Sequence, residues 1–181
     1  MKFLVIFLSL VIFLLANERQ DIFSLYQLKE YDKACQLGLI NLNKNRKDEN
    51  FVSIYAFACL NADYIDRLSV PITLLRSTPE SRSNAAYLSV ILMQKNLLEH
   101  SLNDEYYLKP LKIPTTDNLL SKVFDLYSNL SILKKIPVYE FIDPNNAKIR
   151  YRLYLIGDRN SNNIVIEEFY ESVLVKKHVY R

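Results

Sequence analysis

The sequence predicts an α+β fold: an N-terminal stack of antiparallel helical hairpins followed by a small C-terminal antiparallel β-meander. Three observations carry that prediction. Apolar residues recur at helical spacing from Ile22 to about Asn103, helix-start residues punctuate the same stretch, and beyond Pro137 the apolar period drops to two. The organisation that follows is a signal peptide over 1–16, the helical stack over 17–109, a linker and helix over 110–135, and the sheet over 136–181.

At the N-terminus Lys2 precedes an uncharged run from Phe3 to Ala16, and Asn17, Glu18, Arg19 and Gln20 then restore polarity. A charge, an apolar core and a small residue, in that order, mark a secretory signal peptide. The run is shorter than the roughly 20 residues that span a hydrocarbon core. Cleavage after Ala16 is therefore expected, with an uncleaved membrane anchor or a buried helix as the alternatives. A membrane partner follows only if the segment stays uncleaved. Heavy use of Lys, Asn, Ile, Leu and Tyr with little Gly fits an AT-rich bacterial genome, so the expected location is the periplasm or the exterior.

The helices come next. Ile22, Leu25 and Tyr26 mark the first, Ala34, Leu37 and Ile40 the second, and Phe51, Ile54, Tyr55 and Ala58 the third. Asp48 is placed to cap a helix beginning at Glu49, Ser69 to cap one with Pro71 in its first turn, and Thr78 to cap one opening with Pro79 and Glu80. Short polar turns join these helices, as in hairpins stacked side by side.

Two segments echo one another: LYQLKEYDKACQL from Leu25 and CLNADYIDRLSVP from Cys59 set Asp32 on Asp66, Lys33 on Arg67 and Ala34 on Leu68. The junction KEYDKA resembles the helix-turn-helix junction of tetratricopeptide repeats, with Tyr31 and Ala34 at its aromatic and small positions. Ala56 falls where that repeat needs a small residue for close helix contact, whereas Leu28 and Leu68 depart from the pattern. The resemblance covers about half of the chain and implies a stack of repeat-like hairpins. A helical bundle is the alternative that the same spacing allows.

Cys35 and Cys59 lie on the second and third helices. Antiparallel reflection about the turn near residues 46 and 47 brings position 35 opposite 58 or 59. In an oxidising compartment such a pair is expected to form a disulfide. The alternative is two small buried thiols.

Beyond the Pro-bounded linker, Thr116 is placed to cap a helix that runs from Asn118 to about Leu133. Three strands follow, around Val138–Ile142, Ile149–Ile156 and Ile164–Glu171, separated by turn clusters at Asp143–Asn146 and Gly157–Asn163. Folding the first turn about Asn145 sets Glu140 opposite Arg150 and Tyr139 opposite Tyr151. Folding the second about Asn160 sets Arg152 opposite Glu168 and Tyr151 opposite Phe169. One face then collects Tyr139, Phe141, Ile149, Tyr151, Leu153 and Phe169. The helical face of Leu119, Val123, Leu126, Tyr127 and Leu130 is expected to cover it. The tail from Ser172 either prolongs the third strand or returns as a fourth.

Function is bounded mainly by exclusion. With 181 residues, 50% hydrophobic and 24% charged, the chain has an ordinary globular composition, and a net charge of +3 is too small to argue for nucleic acid. Two glycines, Gly38 and Gly157, leave no room for a P-loop, a GxGxxG turn or a GxSxG elbow. Two histidines and two cysteines, all far apart, match no metal motif, so neither metal nor cofactor is expected. His100 falls near a helix C-terminus, where it suits the dipole; His178 has no nucleophile beside it in sequence. Asp104 with Glu105, and Glu167 with Glu168, are neighbours whose side chains diverge in helix or strand. The expectation is a non-enzymatic exported interaction or scaffold protein of the cell envelope with a protein or peptide partner. Its candidate surfaces are the tyrosines Tyr26, Tyr55 and Tyr87 on the helices, in a stripe with Tyr31, Tyr64, Tyr106 and Tyr107, and the basic tail with Lys176, Lys177 and Arg181. The alternative is a hydrolase acting on envelope material at a helix-sheet seam.

Overall fold

A computed structural model describes residues 18–104, 106, 108, 111–130, 136–158 and 161–181, with the side chains of Asp158 and Ser161 excepted. The segment expected to be a signal peptide, Tyr107 and the expected turn residue Asn160 lie outside the described residues. Among the described residues six helices precede one four-stranded antiparallel sheet, so the chain is α+β with its helices N-terminal. The chain divides into two compact units between Ala85 and Ala86.

The first unit is helical. Helix α1 (18–27) ends where Lys29 takes a positive φ of 59°, which turns the chain into α2 (Tyr31–Asn41). Helix α3 (Glu49–Asn61) begins where expected: Asp48 Oδ1 accepts from the amides of Asn50 and Phe51, each at 3.2 Å. Phe51, Val52, Tyr55, Ala56, Ala58, Cys59 and Leu60 are all buried, which makes α3 the centre of the unit. Helices α2 and α3 run antiparallel, because Cys35 meets Cys59 while Gly38, further along α2, meets Tyr55, further back on α3. The expected disulfide joins them, with 4.7 Å between the two Cα atoms.

Asp63, at φ 64°, ends α3 and leads into a 3-10 turn, Ile65–Leu68, which buries Ile65 and Leu68. That turn runs straight into α4 (Ser69–Leu74), and here the expected cap is corrected. The backbone is already helical at Leu68, so Ser69 is the first residue of α4, and its hydroxyl donates back to the Asp66 carbonyl at 3.0 Å. Thr78 does cap α5 (Pro79–Asp104), accepting from the Ser81 amide at 3.0 Å.

The second unit holds the rest of α5, helix α6 (Leu119–Ser128) and the sheet. The α6 cap is Asn118, whose side chain accepts from the Leu120 amide at 2.9 Å; Thr116 instead accepts from the Asn118 amide, at 3.3 Å, one step earlier in the turn. The buried face of α6 is Leu120, Val123, Phe124 and Tyr127, rotated from the expected one so that Leu120 and Phe124 replace Leu119 and Leu126. This face covers the sheet: the Tyr127 and Tyr139 rings meet edge to face at 5.0 Å.

The strands are β1 (Tyr139–Asp143), β2 (Asn146–Asp158), β3 (Ser161–Tyr170) and β4 (Val173–Tyr180), paired in chain order. The tail thus returns as a fourth strand. The register between β1 and β2 differs from expectation by two residues, with Tyr139 opposite Leu153 and Glu140 opposite Arg152. The pairing closes tightly at Asp143 and Asn146 and then shifts between Ile142 and Asp143, leaving 147–149 opposite nothing on β1. A two-residue shift preserves the faces, so Tyr139 and Tyr151 still share one.

The register between β2 and β3 differs by one residue, and that changes the faces. The pairing closes at Asp158 and Ser161, so Tyr151 lies opposite Glu168, while Phe169 lies opposite Arg150. Phe169 therefore points to the outer face, where the Arg152 guanidinium sits 4.8 Å from its ring. Gly157, at φ 135°, supplies a backbone conformation beside that turn that a side chain would resist.

Candidate functional site

The helical unit opens a polar cleft of about 890 Å3 at the N-terminal ends of α3 and α5; Arg19, Lys44, Lys47, Asp48, Asn50 and Ser77 are among its lining residues. Its carboxylates are already engaged. Asp48 caps α3 and also takes the Arg19 guanidinium. Glu49 Oε1 accepts from the backbone amides of Arg76 at 2.9 Å and Ser77 at 2.8 Å, and these donors, with the Ser81 hydroxyl, hold its carboxyl down at about 2. Glu18 takes Lys44 Nζ at 2.5 Å and Asn45 Nδ2 at 3.2 Å, and the lysine contact lowers its pKa against the opposing effect of burial. The cleft therefore presents Lys47 and Asn50, both exposed, beside Asp48, which the Arg19 guanidinium offsets, and Glu49, which stays ionised on its backbone donors.

The tyrosines divide. Tyr26 is half-buried, meets Tyr31 edge to face at 5.3 Å and accepts weakly from Asn61 at 3.5 Å; burial raises its pKa. Tyr64 donates to Asp32 at 2.8 Å under the Arg67 guanidinium, 4.1 Å above its ring, and Arg67 also reaches the Cys35 sulfur at 3.3 Å. Tyr55 corrects the expectation: it is 1% exposed, packed into the core beside Gly38, and lines no surface. Tyr87 belongs to the second unit, where it donates to Asp117 at 2.9 Å; burial and that carboxylate push its phenol up to about 12.

Beneath α6 lies a cluster that the sequence reading missed. Asp143 is 4% exposed, and its Oδ1 accepts from the amides of Asn145 at 2.8 Å and Asn146 at 3.2 Å, which shapes the β1–β2 turn. Its Oδ2 accepts from the Tyr151 hydroxyl at 2.6 Å and from Lys122 Nζ at 3.1 Å. Tyr151 and the other donors hold the Asp143 carboxyl down at about 2, while burial and that same carboxylate raise the Tyr151 phenol well above its ordinary value. The carboxylate stays ionised and the phenol keeps its proton, so the trio ties helix to sheet and neither group is poised to exchange protons near neutrality. The signal in the sequence was an aspartate before Pro144, read there only as a turn residue.

His100 Nδ1 lies 2.9 Å from Asp104 Oδ2, with its ring stacked on Tyr106 at 4.6 Å. The neighbouring Ser101 is buried, with its hydroxyl bonded to the Tyr106 carbonyl and to the Tyr127 hydroxyl, the latter at 3.0 Å. Glu167 and Glu168 diverge as expected: Glu167 takes the Tyr154 hydroxyl at 2.7 Å and Lys177 at 3.4 Å on one face, and Glu168 pairs with Tyr151 on the other. Lys176, Lys177 and Arg181 are exposed on β4 and at its end. Among the described residues no His, Cys, Asp or Glu cluster could hold a metal ion, and no helix is long and apolar enough to cross a membrane. No protein-family model, curated protein or solved structure matches the chain.

Proposed function

We propose that the protein is an exported, non-enzymatic interaction or scaffold protein of the cell envelope, and that the cleft of its helical unit takes an acidic, extended peptide segment of a partner protein. One observation carries this reading: Asp48 is taken by Arg19, Glu49 by backbone amides and Lys44 by Glu18 beside the cleft, which leaves the exposed Lys47 as the cation presented to a ligand, with the side-chain amides of Gln20 and Asn50. The Cys35–Cys59 bridge is compatible with the oxidising compartment that export would reach.

The test uses a library of short extended peptides of graded acidity, with binding read by fluorescence anisotropy. Acidic peptides should bind, Lys47→Glu should weaken that binding by about tenfold, and added salt should weaken it further. Equal binding of acidic and basic peptides, or an unchanged affinity in Lys47→Glu, overturns the reading.

A further inference from the structure

Lys148, Arg150 and Arg152 occupy alternate positions of β2 and so share the face opposite to that of Tyr151. Two of these cations have acids. Lys148 Nζ lies 2.6 Å from Glu171 and Arg152 Nε 2.7 Å from Glu140. Arg150 stands between Ile142 on β1 and Phe169 on β3, and among the described residues it meets no carboxylate. Its Nη2 donates instead to the Ser172 hydroxyl at 2.7 Å. A hydroxyl that accepts from an arginine still has its own hydrogen to give. Ser172 is held at φ 74°, after Glu171 at 46°, in the two-residue β3–β4 turn, where the second residue is by preference glycine. The turn thus keeps a hydroxyl where its backbone favours no side chain. With Nε spent on Glu140, the Nη groups of Arg152 make no hydrogen bond among the described residues, and the guanidinium carbon lies 4.8 Å from the Phe169 ring. Glu140, Arg150, Arg152, Phe169 and Ser172 line one pocket of about 210 Å3.

We propose that this pocket binds a small phosphate monoester with an apolar ester group. Its donors come from three directions, the Arg150 fork, the Arg152 Nη groups and the Ser172 hydroxyl, which suits a tetrahedral oxyanion better than a planar carboxylate. Residues two apart on a strand lie about 7 Å from one another, so one phosphate group can take both guanidinia. Glu140 is the acid in the pocket, and Arg152 already opposes it, so the charge of Arg150 is left in excess. The ester group then lies on the Phe169 ring and on Ile142, which is 60% exposed on the other side of Arg150. A volume below the roughly 300 Å3 of drug-sized sites limits the ligand to a compact ester. The pocket lies wholly within the second unit and is independent of the cleft in the first.

Titration of the 15N-labelled protein with phenyl phosphate at constant ionic strength tests this. The amide shifts of Arg150, Arg152, Phe169 and Ser172 should saturate, and at lower concentration than with inorganic phosphate, which lacks the ring, or with benzoate, which lacks the tetrahedral group. Arg150→Gln should weaken binding about tenfold. Ser172→Gly should weaken it about fivefold while raising the melting temperature, because glycine accepts the positive φ without strain. Where Arg150→Gln fails to fold, Arg150→Lys decides: it keeps the charge without the fork and should also bind more weakly. Shifts that do not saturate, shifts centred instead on Lys176, Lys177 and Arg181, equal affinity for benzoate, or unchanged binding in Ser172→Gly overturn the proposal. A phosphotyrosine peptide that binds more tightly than phenyl phosphate would assign the pocket to a partner protein and overturn the small ligand.

Discussion

Gly38 on α2 lies against Tyr55 on α3 so closely that a Cβ added to the glycine would stand 2.9 Å from the tyrosine Cβ, with the ring closer still and Ile22 Cδ1 also at 2.9 Å. Three helices meet at this point, and the absence of a side chain on α2 is what lets the phenol of α3 be buried. Gly38→Ala should therefore overpack the junction and destabilise the protein by about 1–3 kcal/mol, measured by urea denaturation. Because the two residues share one space, Gly38→Ala combined with Tyr55→Ala should cost less than the sum of the two. Strict additivity would show that the contact relaxes elsewhere.

The bridge between the same two helices closes a loop whose cysteines are 24 residues apart. Cys59→Ser should lower stability by about 2–4 kcal/mol. Mass spectrometry of unreduced protein should find Cys35 and Cys59 linked; alkylation of both thiols in freshly isolated native protein would remove the bridge from the account.

Tyr151 and Tyr154 are three residues apart on β2 and separate sharply by environment. Tyr151 is buried under α6 and bonded to Asp143, whereas Tyr154 is half-buried on the outer face with its hydroxyl on Glu167. Tyr151→Ala should cost roughly 3–5 kcal/mol, and Tyr154→Ala about 1 kcal/mol. Equal losses would mean that α6 does not cover the face assigned to it.

Acid should unfold the protein through two carboxylates. Asp143 and Glu49 are lowered from 3.8 and 4.5 to about 2 in the folded protein, so the unfolded chain binds their protons more readily. Their contribution is present in full above about pH 4.5 and is lost as pH falls toward 2. The urea midpoint should decline across that window, and Asp143→Asn should start from a lower midpoint at neutral pH and decline less steeply. A variant profile parallel to the wild type would refute the assignment to Asp143.

The proposed export requires residues 2–16 to act as a leader segment. Deleting residues 2–16 should leave the protein in the cytoplasm, assayed by cell fractionation with an untouched exported control. Recovery of the deletion outside the cytoplasm in equal amount would refute the leader.

Where a structural choice depends on residues a few positions apart, the sequence alone determined it. Asp48 and Thr78 begin α3 and α5 because a capping side chain needs only the amides two or three residues ahead. The strand period of two announced the sheet, and the Cys35–Cys59 pair was readable because both residues lie at similar distances from one hairpin turn. The tertiary structure decided what depends on closure and contact. A β2–β3 pairing that closes at Asp158 and Ser161 moved Phe169 to the opposite face, since strand side chains alternate and a one-residue slip reverses all of them. Helical spacing placed Tyr26 and Tyr55 alike on the stack, but the approach of Gly38 buried one and left the other half-exposed. The Lys122–Asp143–Tyr151 trio joins residues from a helix and two strands, and nothing local marks such a meeting until α6 is laid on the sheet.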